Sequence, residues 1–479
     1  MIELETHDIQ GLVVRGYGSF PEARFLLLEV LDAELARRHL RAICERINTA
    51  HVTPEHVALQ VAFTASGLAA LEVPKHALVT FSREFLEGMD DDVRAESLGD
   101  RGDNDPSKWE WGRSGGVHVL LMLYAKDAET LAHHLAKEQA LIPAGAYRVV
   151  VKETTSLPRQ KEHFGWTDGL SLPNILGVPQ VRPKKKRQQS WTSPIQPGEL
   201  VLGYPNEYAC FTERPTAELV DDPCDHLPET EDGLRKDLGR NGTYLVYRQM
   251  TQDVQKFWGY LAERSREPGE DPAAKAIALG AKMVGRWPNG APLITSPERD
   301  DPDRGKDNEF LYSDDPVGLR CPLGAHIRRA NPRDVLAADR DAADSTIMVK
   351  KHQMVRRGRA FGPPVSATMD PREILAAPSD ATPRGLHFIC LVGHISRQFE
   401  FVQRAWIHSA NFAGLFKDGD PIAAARRPPD HENPNDEFTC PATPLRRKYK
   451  QMPQFTTLVG GAYFFLPGIR ALRFIVRQP

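Results

Sequence analysis

"ARFLLLEVLDAELARRHLRAICERINTA" (Ala23–Ala50) changes its hydrophobic period once, at Asp32. Before that point Ala23–Val30 is a short, nearly continuous apolar run of strand length. After it, apolar residues recur at helical spacing, and Asp32 stands where a helix N-cap belongs. The same alternation continues outward. "HVALQVAFT" (His56–Thr64) reads as a second strand and "ASGLAAL" as a short helix. A long, polar, acidic loop follows, and then the strand "GVHVLLMLYA" (Gly116–Ala125), a helix from Asp127 to about Ala140, and the strand "AYRVVVKET". That order is β-α-β-β-α-β, a ferredoxin-like unit.

A similar succession returns with "GTYLVYRQM" (Gly242–Met250), the helix "TQDVQKFWGYLAERS", the strand "LHFICLVG" (Leu386–Gly393), the helix "SRQFEFVQRAWIHSA" and a last strand near "GGAYFFLPG". The repeat is one of architecture, since the two halves do not align residue by residue. The expected class is therefore α+β, with an N-terminal unit over residues 1–178, linker and loops over 179–241, and a C-terminal unit over 242–479. Irregular sequence fills about Val178 to Asn241 and Arg286 to about Met348. Loops of such length inside compact domains are usually functional.

Composition removes several classes. The 479 residues are 41% hydrophobic and 26% charged with net charge -3, a globular balance that gives no whole-chain reason to expect nucleic acid. The basic run "RPKKKR" (Arg182–Arg187) reads as a solvated loop. Six cysteines (Cys44, Cys210, Cys224, Cys321, Cys390, Cys440) include no Cys-x-x-Cys pair, so zinc-ribbon, iron–sulfur and covalent c-type haem motifs are not encoded. The N-terminus has no secretory pattern and no window reaches 18 uninterrupted apolar residues, so a cytoplasmic chain without a membrane partner is expected. Walker A, strand-linked Gly-x-Gly-x-x-Gly, His-Glu-x-x-His and Gly-x-Ser-x-Gly patterns are also missing. "NGT" (Asn241–Thr243) fits a glycosylation acceptor by chance. Isolated histidines such as His118 and His387 read as structural. Trp258 and Trp406 read as core anchors, while Trp109 and Trp111 in the long loop have the better claim to exposure.

Three segments carry chemistry: "FGWTDGLSLPN" with Asp168, "CPLGAHIRRANPR" with His326 and "MVRRGRAFGPP" with Arg356. Taken singly they are a turn aspartate, a core histidine and a surface arginine pair. Taken together they resemble the dye-decolorizing peroxidases. Gly165-Trp166-Thr167-Asp168-Gly169 matches the family's Gly-x-x-Asp-Gly signature, "AHIRRANPR" its proximal histidine segment and "RRGRAFGPP" its distal arginine segment. "QFEFVQRAWI" and "GGAYFFLPG" resemble its C-terminal segments in the same order. Gly-x-x-Asp-Gly alone is a chance-level pattern, whereas five ordered segments from about residue 20 to 475 are specific. The long form without a signal resembles bacterial and cyanobacterial members.

The resemblance implies a dimeric-ferredoxin-like fold with one non-covalent haem b per chain, held in the C-terminal unit. His326 would be the axial metal ligand, because haem iron needs one strong ligand and an open opposite face. Glu400 would accept from the other ring nitrogen and enrich the imidazole in electrons. Asp168 would act as acid and base on hydrogen peroxide, and Arg356 would stabilise charge during O–O cleavage. Arg357 competes for that role, one residue away. Arg333 would pair with a haem propionate, while Leu386 and Phe388 would line the distal pocket. The implied activity is oxidation of dyes, phenols or similar electron-donating small molecules by hydrogen peroxide through a ferryl intermediate, in a monomer or homo-oligomer. A haem-binding or iron-handling protein with incidental peroxidase activity is the alternative. A carrier needs only His326 and a pocket, so the presence of both Asp168 and Arg356 favours catalysis. A chlorite- or oxygen-handling relative would lack the Gly-x-x-Asp-Gly segment, and a cofactor-free scaffold would be colourless.

Overall fold

In the computed structural model of the chain, which describes residues 3–113, 115–178, 194–336, 341–427, 431–432 and 434–476, the change of period at Asp32 is realised as a strand and a capped helix. Strand β1 spans Glu22–Val30 and helix α1 Ala33–Cys44, with the Asp32 carboxylate accepting from Leu35 N. The apolar stripe Ala36, Leu40 and Ile43 is buried against the sheet. Strand β2 (Val57–Phe63), helix α2 (Ala65–Ala70), strand β3 (Val119–Ala125), helix α3 (Ala128–Leu141, capped by Asp127) and strand β4 (Tyr147–Glu153) complete the first unit. All seven residues of β3 are buried, as expected of a strand covered on both faces.

The second unit begins with β5 (Thr243–Gln252) and helix α4 (Val254–Arg264), capped by Asp253. Helix α5 (Pro272–Val284) follows, with Pro272 in its first turn and Gly285 closing it at φ 94°. The one-turn helix α6 (His326–Ala330) stands in the long irregular region. Four strands of the main sheet remain: β6 with its close neighbour β7 (Val355–Arg356 and Arg359–Phe361), β8 (Gly385–Val392) and β9 (Thr456–Leu466). The segment with helical spacing before the last strand is wound as π-helix over Ser396–Glu400 and Val402–Ile407. The second strand of this repeat, which has no counterpart among the apolar runs, is the two-residue β6.

These nine strands form one antiparallel sheet in the order β4-β1-β3-β2-β9-β5-β8-β6, with β7 also on β8. Each half has the ferredoxin-like order fourth, first, third, second strand, so the duplication extends to topology. The halves join where Phe63 of β2 faces Phe465 of β9. One core lies on each face of this sheet, and a third, around Trp166, Trp258 and Phe257, packs α4 and α5 against the loop that carries Asp168.

Trp109 and Trp111, expected at the surface, are only 6% and 7% exposed, because their indole N–H groups donate inward to Asn104 O and Gln249 Oε1. Asn241 of "NGT" is buried, its amide held by Asp8 and Glu5. His387 is structural, bound to Tyr247 Oη at 2.7 Å and Glu153 O at 2.9 Å. The basic run 182–187 lies outside the described residues. Among the described residues no helix is long and apolar enough to cross a membrane.

Candidate active site

Asp168 follows a small hairpin in which Lys161 bridges Thr167. Glu162 organises that hairpin. Its buried carboxylate accepts from Phe164 N (2.9 Å), Trp166 N (2.9 Å) and Gln252 Nε2 (2.7 Å). Thr167 N, Thr167 Oγ1 and Lys161 Nζ converge on the carbonyl of Pro288. Asp168 N then donates to Gln160 O at 2.9 Å, which fixes the backbone at the candidate carboxylate. The flanking glycines answer to backbone conformation: Gly165 has φ 98° and Gly169 φ 74°, where a side chain is strained. A Cβ on Gly165 would also meet Ile374 at 3.0 Å.

Asp168 Oδ1 accepts from Gly169 N at 2.6 Å and faces Arg356 Nη1 at 3.4 Å. Strand pairing explains why Arg356 points there. In β6 it lies opposite Cys390 of β8, so its side chain leaves the sheet on the face of Cys390, Phe388 and Leu386. Leu386 and Phe388 are half-buried on that face. Arg357 goes to the other side, where its guanidinium donates to Leu12 O at 2.7 Å and Val13 O at 2.8 Å. The structure therefore brings Arg356, not Arg357, to Asp168.

His326 opens α6. Its Nδ1 lies 2.9 and 3.1 Å from the two carboxylate oxygens of Asp420. Asp420 is fully buried, and its Oδ1 also accepts from Ile422 N (2.9 Å) and Ala423 N (2.8 Å). Burial opposes charge on both groups, yet their mutual attraction prevails: the imidazole's pKa is held above its ordinary value and the carboxyl's below.

Asp420 thus takes the place expected of Glu400. Glu400 is instead directed to Arg94 Nη1 (2.6 Å) and Tyr463 Oη (2.8 Å), because its segment winds as π-helix beside β9. Asp420 has the form of a helix N-cap followed by proline, a signal that marks a turn but not its partner 94 residues away. Arg333 is buried, with φ 57°, and donates to Asn308 O, Phe310 O and Asn308 Oδ1. Burial lowers its pKa to about 10.

His326 is enclosed by protein, yet 28% of its side-chain surface is accessible; Arg356 and Asp168 keep 37% and 53%. The charges of Arg356 and Asp168 both act on the His326 ring, the arginine opposing its protonation and the aspartate favouring it. With Nδ1 directed to Asp420, Nε2 is the nitrogen left to bind a ligand. Among the described residues no group of three or more His, Cys, Asp or Glu side chains gathers that could hold a bare metal ion. A single imidazole with Nε2 unengaged, together with an Asp168–Arg356 pair whose sheet face carries the half-buried Leu386 and Phe388, suits a macrocycle that brings its own equatorial ligands, so the donor set fits haem.

Comparison with known proteins bears on this arrangement. The family model described as the DyP dimeric alpha+beta barrel domain matches residues 8–157. The chain is 26% identical to dye-decolorizing peroxidase msp1 of Mycetinis scorodonius, over 99% of this chain and 88% of that protein. It is 28% identical to the multifunctional dye peroxidase DyP2 of an Amycolatopsis species, over 99% and 94%. Among solved structures, an ancestral D-type dye-decolorizing peroxidase superposes with TM-score 0.77 at 24% identity, covering 100% of both chains. A dye-decolorizing peroxidase in complex with 2,6-dimethoxyphenol gives 0.74 at 25%, covering 99% and 100%.

Proposed function

The chain belongs to the dye-decolorizing peroxidase family, and from that membership we propose a peroxidase in which His326, Asp168 and Arg356 do the work at one haem b, bound non-covalently, per chain. Haem, when bound, supplies an iron that accepts oxidising equivalents from hydrogen peroxide and passes them to a reductant. His326 would hold the group through Nε2, with Asp420 fixing the ring and making it a stronger donor. Leu386 and Phe388 keep water and bulky reductants from the reacting oxygen. Arg333, anchored by Asn308 and Phe310, is the proposed partner of an acidic group on the cofactor rim.

Hydrogen peroxide must lose a proton from one oxygen and gain one on the oxygen that departs as water. Asp168 does both through Oδ2, since Oδ1 is directed to Gly169 N and Arg356. Arg356 presents a guanidinium to the charge that grows on the departing oxygen. The reductant would be a phenol or dye of the class of the 2,6-dimethoxyphenol bound in a relative.

The observation that carries this reading is that Asp168 and Arg356, 188 residues apart, meet at 3.4 Å and that the charges of both act on the partly accessible ring of His326. Stopped-flow absorbance of the haem-loaded protein with hydrogen peroxide tests it. Arg356→Leu and Asp168→Asn should each slow the peroxide reaction by about 10²–10³-fold, and His326→Ala should lose or misligate haem. A slow reaction indifferent to all distal variants would point to a carrier, and a protein that takes up no haem would end the proposal.

A further inference from the structure

Behind Asp420 lie two arginines, Arg329 buried and Arg426 half-buried, that the reaction above does not use. Arg329, one turn after His326 on α6, is fully buried and directs its guanidinium only to carbonyls: Trp406 O (2.6 Å), Ser409 O (3.0 Å) and Asp418 O. Arg426 reaches the same segment from the other side, donating to Asp420 O (3.0 Å), Pro421 O (3.2 Å) and Asn435 O (3.0 Å). Neither makes an ion pair among the described residues, and Nε of Arg329 is buried without a hydrogen-bond partner. Burial pushes both guanidinium pKa values down to about 10, and Asp420 is the first group that opposes the shift in each. Cations withdrawn from water, wholly for Arg329 and partly for Arg426, and held by backbone oxygens are costly to place. Their charges converge on the one carboxylate that grips His326.

We propose that Arg329 and Arg426 are positioning residues that set how strongly Asp420 polarises His326, and so tune the reduction potential of the iron His326 holds; this rests on the axial-ligand reading above. Their carbonyl bonds fix the backbone at Asp418, Asp420 and Pro421. Their charges temper the pull of the carboxylate on the Nδ1 proton. Removing either positive charge leaves Asp420 a stronger acceptor, makes His326 more imidazolate-like and favours ferric over ferrous iron.

The test is the ferric/ferrous midpoint potential and the iron–histidine stretching frequency of the haem-loaded full chain, for wild type, Arg329→Gln, Arg426→Gln and Phe412→Leu. Phe412 lies under the Arg329 guanidinium at 5.0 Å, so its variant loosens the same packing without removing charge. Both glutamine variants should lower the potential and raise the stretching frequency, while Phe412→Leu leaves both in place. Unchanged values in the glutamine variants, or an equal shift in Phe412→Leu, would overturn the proposal. Should Arg329→Gln not hold haem, Arg426→Gln decides alone. His326→Ala separates the two readings: if its stretching band persists, the ligand assignment is what falls.

Discussion

Arg356 and Arg357 are adjacent and chemically identical, yet the pleat of β6 sends one over the site and seals the other beneath the N-terminal segment. Arg357→Leu should therefore act on stability. Removing a buried guanidinium that holds Leu12 O and Val13 O costs roughly 2–4 kcal/mol, read as a lower denaturation midpoint, with the peroxide rate of the folded fraction retained. A large rate loss at unchanged stability would reverse the assignment of the pair. The proximal side offers a second contrast. In Asp420→Asn the side-chain oxygen can still accept from Ile422 N and Ala423 N, but the charge that grips His326 is gone. The peroxide reaction should slow by about 10–100-fold, whereas Glu400→Gln, at the Arg94–Tyr463 pair, should leave that rate unchanged. Equal losses in both variants would argue against Asp420 as the working carboxylate. Asp168, His326 and Arg356 are legible in the sequence because each sits in a short segment of characteristic composition. Asp420 is not, because its role is created by a tertiary contact and its own neighbourhood announces only a turn.

Strands long enough to show a period are readable from the chain's apolar pattern alone, and β1, β2, β3, β4, β5, β8 and β9 lie where the apolar runs place them. The strand that carries Arg356 escapes that pattern because two residues cannot display alternation, and its pairing to β8 comes from the neighbouring strand, not from its own sequence. The π-wound run 396–407 has the apolar content of an α-helix, and its winding is set by packing that the pattern does not encode. The hairpin before Asp168 shows the same dependence. Glu162 is locally an ordinary glutamate, yet in the fold it is the acceptor on which the loop's amides converge. Glu162→Ala leaves Phe164 N, Trp166 N and Gln252 Nε2 without this partner, a cost of roughly 2–4 kcal/mol. Because the loop positions Asp168, the peroxide rate should fall as well, approaching that of Asp168→Asn. A thermal scan with stopped-flow on the same sample checks both, and a destabilised variant with wild-type rate would show that Asp168 is positioned without Glu162.

On the scale of the whole molecule, one sheet joined at Phe63 and Phe465 makes the two repeats share their cores, and buried polar groups are distributed across both. Four histidines, His39, His163, His387 and His408, have their pKa values lowered to about 4, in each case chiefly by burial. They are neutral when folded and titrate near 6.5 when unfolded. Between pH 6.5 and 4 the unfolded chain therefore binds more protons than the native one, and stability falls as the pH falls through that window. Carboxyls raised by burial, Glu162, Glu199, Asp237 and Asp418, run the other way, so the net slope mixes both signs. A single histidine isolates the effect. His387 faces Tyr247, the carbonyl of Glu153, Phe25 and Phe361, with Lys152 as the nearby charge; the Glu153 carbonyl alone favours an imidazolium, and burial outweighs it. It should contribute a loss of up to roughly 3 kcal/mol between pH 6.5 and 4. His387→Phe starts less stable at pH 7, because Tyr247 Oη loses its partner, but its denaturation midpoint should decline less steeply toward pH 4 than that of the wild type. Parallel declines in urea melts at pH 7, 6, 5 and 4 would mean that His387 does not remain neutral in the folded protein.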